Sequence, residues 1–205
     1  MNRDAFTILR IDGSARYDGS VSRELADETV QHLMAEHPGA RVLHRDLGAG
    51  LPLIDAAWVA ANFTDPAERD AGQRAALALS DTLIDELRAA DAVVMAVPMY
   101  NFGVPASVKA WVDLVCRARV TFRYTADGPE GLLPDRPVYL LLATGGVPAG
   151  SAVDFASGYL RHIWGFLGIS DVRLVAADGL NRDATGTMDR AREQLRAALI
   201  RCAAA

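Results

Sequence analysis

The chain has 205 residues, of which 51% are hydrophobic, and carries a formal net charge of −5. That balance is against a nucleic-acid binder, which needs a basic face, and the apolar runs, short and bounded by Pro or Gly, are against a membrane span. The length suits one domain with a full core, so residues 1–205 are expected to form a single domain.

Residues 6–11 are rich in β-branched and aromatic side chains and predict a first strand. Val21–Glu36 predicts a helix, with Leu25, Val30, Leu33 and Met34 near helical spacing and Pro38-Gly39 as its stop. Residues 41–45 predict a second strand, and 47–66, a mixture of Gly, Pro and scattered apolar residues, a long excursion. Residues 68–88 predict a helix with Leu79, Leu83, Ile84 and Leu87 on one stripe. The run 92–97 is apolar without alternation and ends at Pro98, as expected of a central parallel strand covered on both faces. Residues 105–115 predict a helix with Pro in its first turn. There follow a second excursion at 117–135, a buried strand at 138–142, a helix at 155–167, a fifth strand at 172–175 and an Ala-rich closing helix at 188–202.

Five β–α units without hairpin signals predict an α/β fold built on a doubly wound five-stranded parallel sheet, taken in the order 2-1-3-4-5, one of those such sheets adopt. Ligands of such sheets sit beyond the carboxyl ends of the strands, at the switch point. The loops after strands one, three and four, adjacent in that order, are therefore where chemistry is expected.

Neither the cysteines nor the histidines suggest a metal. Cys116 and Cys202 make no disulfide framework and no zinc pattern, and His32, His37, His44 and His162 show no ligand spacing. Residues 1–10 contain Asp4 and no long apolar stretch, unlike a signal peptide, and the expected compartment is the cytoplasm.

The loop after strand one is rich in hydroxyls and runs straight into a helix. Free N–H groups and the dipole at a helix start make an anion site, to which Ser14, Ser20 and Ser22 add donors and Arg16 a charge. The loop has neither GxGxxG nor a P-loop pattern, and a nearly uncharged cradle of serines suits one phosphate monoester. The alternative is that Ser20 only caps the helix. After strand three, Met99, Tyr100, Asn101 and Phe102 suit a flat apolar ring with a polar edge. After strand four, Thr144, Gly145 and Gly146 allow close backbone approach, or are turn residues only.

At these residues the chain resembles a known family. Residues 78–87, the Met-Tyr-Asn-Phe motif at 99–102, Val-Thr-Phe-Arg-Tyr-Thr at 120–125 and Asp-Gly-Pro-Glu-Gly-Leu at 127–132 are similar to the FMN-dependent NADH-azoreductases, which are also NADH:quinone oxidoreductases. The likeness covers nearly the whole chain, including residues 51–54 and 166–172. It implies a flavodoxin-like fold, non-covalent FMN, NADH or NADPH as electron donor, and quinones or azo compounds as acceptors. It implies that Ser14, Ser20, Val21 and Ser22 hold the FMN phosphate and that Met99, Tyr100, Asn101 and Phe102 meet the flavin ring, with Thr144, Gly145 and Gly146 beside it. It also implies a homodimer with each active site at the subunit interface.

Tyr124, Phe166 and His162 are the candidate substrate-pocket residues, with His162 as a possible proton donor. Tyr124 lies in the segment that the resemblance carries across to the partner's flavin; the alternative is that Phe122 and Tyr124 only fill the interface. One departure stands out: the family commonly has Ser or Thr and then Arg before the paired glycines, where this chain has Ala143 and Thr144. The chemistry is then the flavin's, with no protein nucleophile. The rival readings are a flavodoxin-type electron carrier that turns over no substrate, and a sensor that has lost its flavin.

Overall fold

A computed structural model describes residues 5–200. Five parallel strands form one sheet: β1 (Thr7–Asp12), β2 (Arg41–Asp46), β3 (Ala92–Pro98), β6 (Val138–Thr144) and β7 (Val172–Asp178), in the order β2-β1-β3-β6-β7. Counting only these five, the order is the expected 2-1-3-4-5. The helices are α1 (Val21–Glu36), α2 (Ala56–Phe63), α3 (Ala71–Ala89), α4 (Ala106–Val115), α5 (Ser157–Leu167) and α6 (Ala184–Ile200). Two further strands, β4 (Phe122–Thr125) and β5 (Gly128–Gly131), pair antiparallel outside the main sheet. Among the described residues no helix is long and apolar enough to cross a membrane.

The burial of each strand follows its place in the sheet. The central strands β3 and β6 are buried almost throughout, whereas the edge strand β2 is half-exposed along its length. A parallel strand covered on both faces has no solvent side, so it reads as an unbroken apolar run. Alternate residues enter two separate cores. Leu9, Ile11, Val93, Met95 and Leu140 pack with Leu83 of α3, Trp111 of α4 and Trp164 of α5. Ile8, Val94, Ala96, Tyr139 and Leu141 pack with Leu25 and Leu33 of α1 and Leu195 of α6.

Several elements differ from expectation. The first excursion contains α2, started by Asp55, whose carboxylate accepts from the Trp58 N–H at 2.7 Å. Only Trp58 and Ala61 of this helix are buried, too few to leave a periodic signal. The third helix starts at Ala71 rather than 68, because Asp70 and Gln73 form a reciprocal capping box. The closing helix starts at Ala184 rather than 188, and Cys202 lies outside the described residues. Burial pushes the thiol of Cys116 up to about 12, with the charge of Asp113 adding to the effect, so it is no reactive thiolate.

The expectation of no hairpin is corrected by β4 and β5. They are joined through Ala126 and Asp127, with Gly128 at φ 118°. Asp127-Gly128 is a hairpin turn signal, hidden among glycines and a proline that weaken the strand pattern around it. The hairpin is seated on the end of α5: the Leu133 N–H donates to the Leu167 carbonyl at 2.9 Å. A Cβ on Gly131 would lie 2.0 Å from the Gly168 backbone nitrogen. Gly131→Ala is therefore expected to push the hairpin off α5 at a cost of about 1–3 kcal/mol. Thermal unfolding and amide exchange across residues 121–133 check this, and an unchanged variant would show that the backbones separate freely.

Candidate active site

β1 ends at Asp12, and residues 15–19 pass exposed over the surface before α1 begins at Val21. Ser14 is buried at the start of this loop, where its Oγ accepts from the Arg16 N–H at 3.1 Å. Ser20 takes the N-cap position in an extended conformation, but its side chain makes no capping hydrogen bond. Its hydroxyl instead stands 3.4 Å from that of Ser22. Plain capping thus does not account for Ser20. The first-turn N–H groups, left without a side-chain cap, form with the two hydroxyls an electropositive cradle for an anion.

The loop after β3 is a tight turn. Tyr100 and Gly103 exchange backbone hydrogen bonds of 3.0 and 3.1 Å, and the two residues between them, Asn101 and Phe102, have φ of 48° and 69°. Positive φ at both central positions is the type I′ pattern. Asn tolerates it; Phe does so at a cost of about 1–3 kcal/mol, which the surroundings must impose. They do so from both sides. The Met99 N–H donates to the Ala143 carbonyl at 2.8 Å, and the Phe155 N–H donates to the Phe102 carbonyl at 3.0 Å.

The third wall comes from the ends of β6 and β7. Buried Thr144 turns its hydroxyl to the Val147 carbonyl, 2.6 Å away, and its own carbonyl accepts from the Gly179 and Leu180 N–H groups. The Asn181 N–H donates to the Gly145 carbonyl at 2.8 Å, and the Asn181 side chain lies where a Cβ on Gly145 would stand. Further along, Asp154 gathers the N–H groups of Gly150, Ala156 and Ser157 and the Ser157 hydroxyl. It thereby starts α5 and holds Phe155 against the β3 turn.

Together these loops enclose a cleft of about 420 Å³, within the size range of small-molecule sites. Of the residues expected there, Ser14, Ser20, Val21, Ser22, Met99, Tyr100, Thr144 and Gly145 line it. Asn101, Phe102 and Gly146 are exposed in the flanking loops and are not among its lining residues. Arg16 is the cation among those that are.

The expected substrate-pocket residues stand apart from this cleft within the chain. The Phe166 ring lies 4.4 Å from that of Phe122, which meets Tyr124 edge-on at 5.5 Å. Phe166 is near the end of α5 remote from the cleft, about 14 Å along the axis from its first residue. His162 is exposed on the same helix, one turn before Phe166.

The sequence reading missed Leu180, Asn181 and Ala184, which line the cleft from the loop after β7 and the start of α6. The signal was available. β7 neighbours β6, so its carboxyl end opens onto the same crevice, and Gly179-Leu180-Asn181 breaks the strand there.

The model of a family described as having a flavodoxin-like fold matches residues 7–199. FMN-dependent NADH:quinone oxidoreductase 1 of Hahella chejuensis is 48% identical over 198 residues, covering 97% of each chain. FMN-dependent NADH:quinone oxidoreductase of Thiobacillus denitrificans is 55% identical over 171 residues, covering 83% of each. Among solved structures, an FMN-dependent NADH-azoreductase of Bacillus anthracis in complex with FMN is similar, with a TM-score of 0.81 and 25% identity over 94% of this chain and 97% of that one.

The Asp154 cluster has a consequence that varies with pH. Burial alone would raise the Asp154 pKa, but its hydrogen bonds with the Ser157 hydroxyl and with the N–H groups of Gly150, Ser157 and Ala156 outweigh that and hold it below the ordinary carboxylate value. A carboxyl depressed by folding contributes stability that is complete above its unfolded pKa, near about 4. That contribution is lost as pH falls through the folded pKa. Asp154→Asn is expected to cost about 1 kcal/mol at neutral pH, through weaker hydrogen bonds to an uncharged acceptor, and to flatten the loss of stability below about pH 4. Urea unfolding of both proteins at neutral and acid pH checks it; parallel pH profiles would contradict it.

Proposed function

The chain belongs to the family of FMN-dependent NADH:quinone oxidoreductases and azoreductases within the flavodoxin-like fold, and we propose that it binds FMN non-covalently and transfers two electrons from NADH to quinones or azo compounds. The observation that carries this reading is one cleft joining a serine cradle at a helix start to Met99 and Tyr100, where the strained turn begins. When bound there, FMN supplies the two-electron carrier between donor and acceptor.

The residues present fit that group. The hydroxyls of Ser20 and Ser22 and the first-turn N–H groups of α1 suit a phosphate, with the Ser14 segment as the facing wall. Met99 and Tyr100 offer an apolar surface for the ring, and Gly145, without a Cβ, lets backbone approach its edge. Thr144 offers no charge where the family commonly has arginine, so that part of the site depends on backbone groups and Asn181. The names of the relatives specify NADH rather than NADPH and describe enzymes, which supports turnover over the carrier alternative.

The two hydrophobic clusters, one on each face of the sheet, support reading the fold as doubly wound and residues 1–205 as one FMN-binding domain. Cytoplasmic placement rests on the sequence grounds given above. The active unit is read as a homodimer. Phe102 at 53%, Phe155 at 65% and Tyr124 at 74% exposure are large apolar groups open to solvent beside or beyond the cleft, the kind of surface that marks an interface. Tyr124 and Phe166, too far from the cleft of their own chain, reach an active site if a second copy brings them over its cleft.

Serial use of one pocket predicts parallel lines when initial rates with NADH are plotted at several quinone concentrations, as in ping-pong turnover. Converging lines would indicate a ternary complex and separate sites. Tyr124→Ala is expected to keep its FMN and its dimer while changing the acceptor KM or kcat. Dissociation on dilution, with flavin and activity lost together, would make Tyr124 an interface residue instead. Sedimentation, flavin content and quinone kinetics on the same variant distinguish the two.

A further inference from the structure

The proposed phosphate cradle has two halves on different segments. Ser14 follows β1, whereas Ser20 and Ser22 begin α1, and residues 15–19 between them are exposed. A surface loop does not by itself set the spacing of its ends to the tolerance that a charged hydrogen bond needs. The two halves are instead held by a side chain behind the cleft. Arg23, in the first turn of α1, is 8% exposed, and its Nη2 donates to the Ser14 carbonyl at 2.7 Å.

The guanidinium is itself held in place. The sheet register sets Asp12 of β1 beside Asp46 of β2, two carboxylates at the ends of adjacent strands. Left alone, the pair would repel. Arg23 Nη1 donates to Asp12 at 3.1 Å and to Asp46 at 3.2 Å, and Nη2 donates to the other Asp46 oxygen at 2.7 Å. Arg10 Nε donates to Asp12 at 2.9 Å, and His44 Nε2 lies 2.8 Å from the same oxygen. Gly48 leaves room for the fork: a Cβ there would stand 2.9 Å from Arg23 Nη2 and 2.9 Å from the Ser14 oxygen. Burial works against the Arg23 charge, but the bond to Asp46 and the charges of Asp12 and Asp46 outweigh it, so the group stays protonated.

We propose that Arg23 is a positioning residue for flavin phosphate. It does not line the cleft; its guanidinium ties the Ser14 carbonyl to the first turn of α1 and to the paired carboxylates of β1 and β2, and so sets the distance between the two halves of the cradle. This rests on the FMN reading of the cleft. A planar fork makes these bonds together, which a lysine ammonium on a flexible stem cannot.

The test compares two ligands that differ only in the phosphate. The flavin-free full-length protein, its Arg23→Lys variant and its Asp46→Asn variant are titrated with FMN and with riboflavin, with circular dichroism and thermal unfolding on the same samples. The Lys variant is expected to lose FMN affinity by about tenfold or more, with riboflavin affinity changed by less than about twofold; Asp46→Asn shifts the ratio in the same direction. Equal weakening of both flavins would make the network a general structural support and overturn the proposal. Unchanged FMN affinity, or failure of both variants to fold, would overturn it equally. Wild-type protein that binds FMN no better than riboflavin would overturn the phosphate reading of the cleft, and the proposal with it.

Discussion

In a parallel sheet every strand finishes on the same edge, and that constraint governs where this molecule places its polar groups. β1, β3, β6 and β7 run side by side in one direction, so four loops leave from one rim. Each must hand its backbone N–H and carbonyl groups to new partners as the ladder ends. At this rim they go to neighbouring loops. Met99 donates to Ala143, Leu180 to Thr144 and Asn181 to Gly145, which stitches the strand ends into the walls of a single cleft.

The same rim carries the costs that the core avoids. The interior of the sheet is aliphatic and aromatic, whereas the rim holds a buried aspartate, two nearly buried arginine bonds to it and a phenylalanine with positive φ. Each is unfavourable in isolation. They persist because contacts from separate elements oblige them to: α1 supplies Arg23 to the paired carboxylates, and the Phe155 N–H holds the Phe102 carbonyl.

The hairpin and the end of α5 stand apart from this rim. They carry Phe122, Tyr124 and Phe166 as one aromatic group, seated through Gly131 on the backbone of Gly168. The hairpin has only four residues in each strand, and its Tyr124 ring, edge-on to Phe122, is largely exposed.

Much of this was legible in the sequence because the signals are local. An apolar run such as 92–97 announces a covered strand through its own side chains, and Ser20 and Ser22 mark a helix start that offers donors, whatever the rest of the chain does. The five main strands, the hydroxyl-rich loop and the motif at 99–102 were available on those grounds, whereas the strand order, which is not local, came from the fold class. The short helix α2 and the hairpin were not, since their few buried residues leave too little periodicity to read. Only the tertiary structure decided that Ser20 does not cap its helix, that Asn181 closes the cleft and that Arg23 stands behind Ser14. These depend on register and packing between residues such as Arg23 and Asp46, far apart along the chain, which come within hydrogen-bond distance only once β1, β2 and α1 have docked.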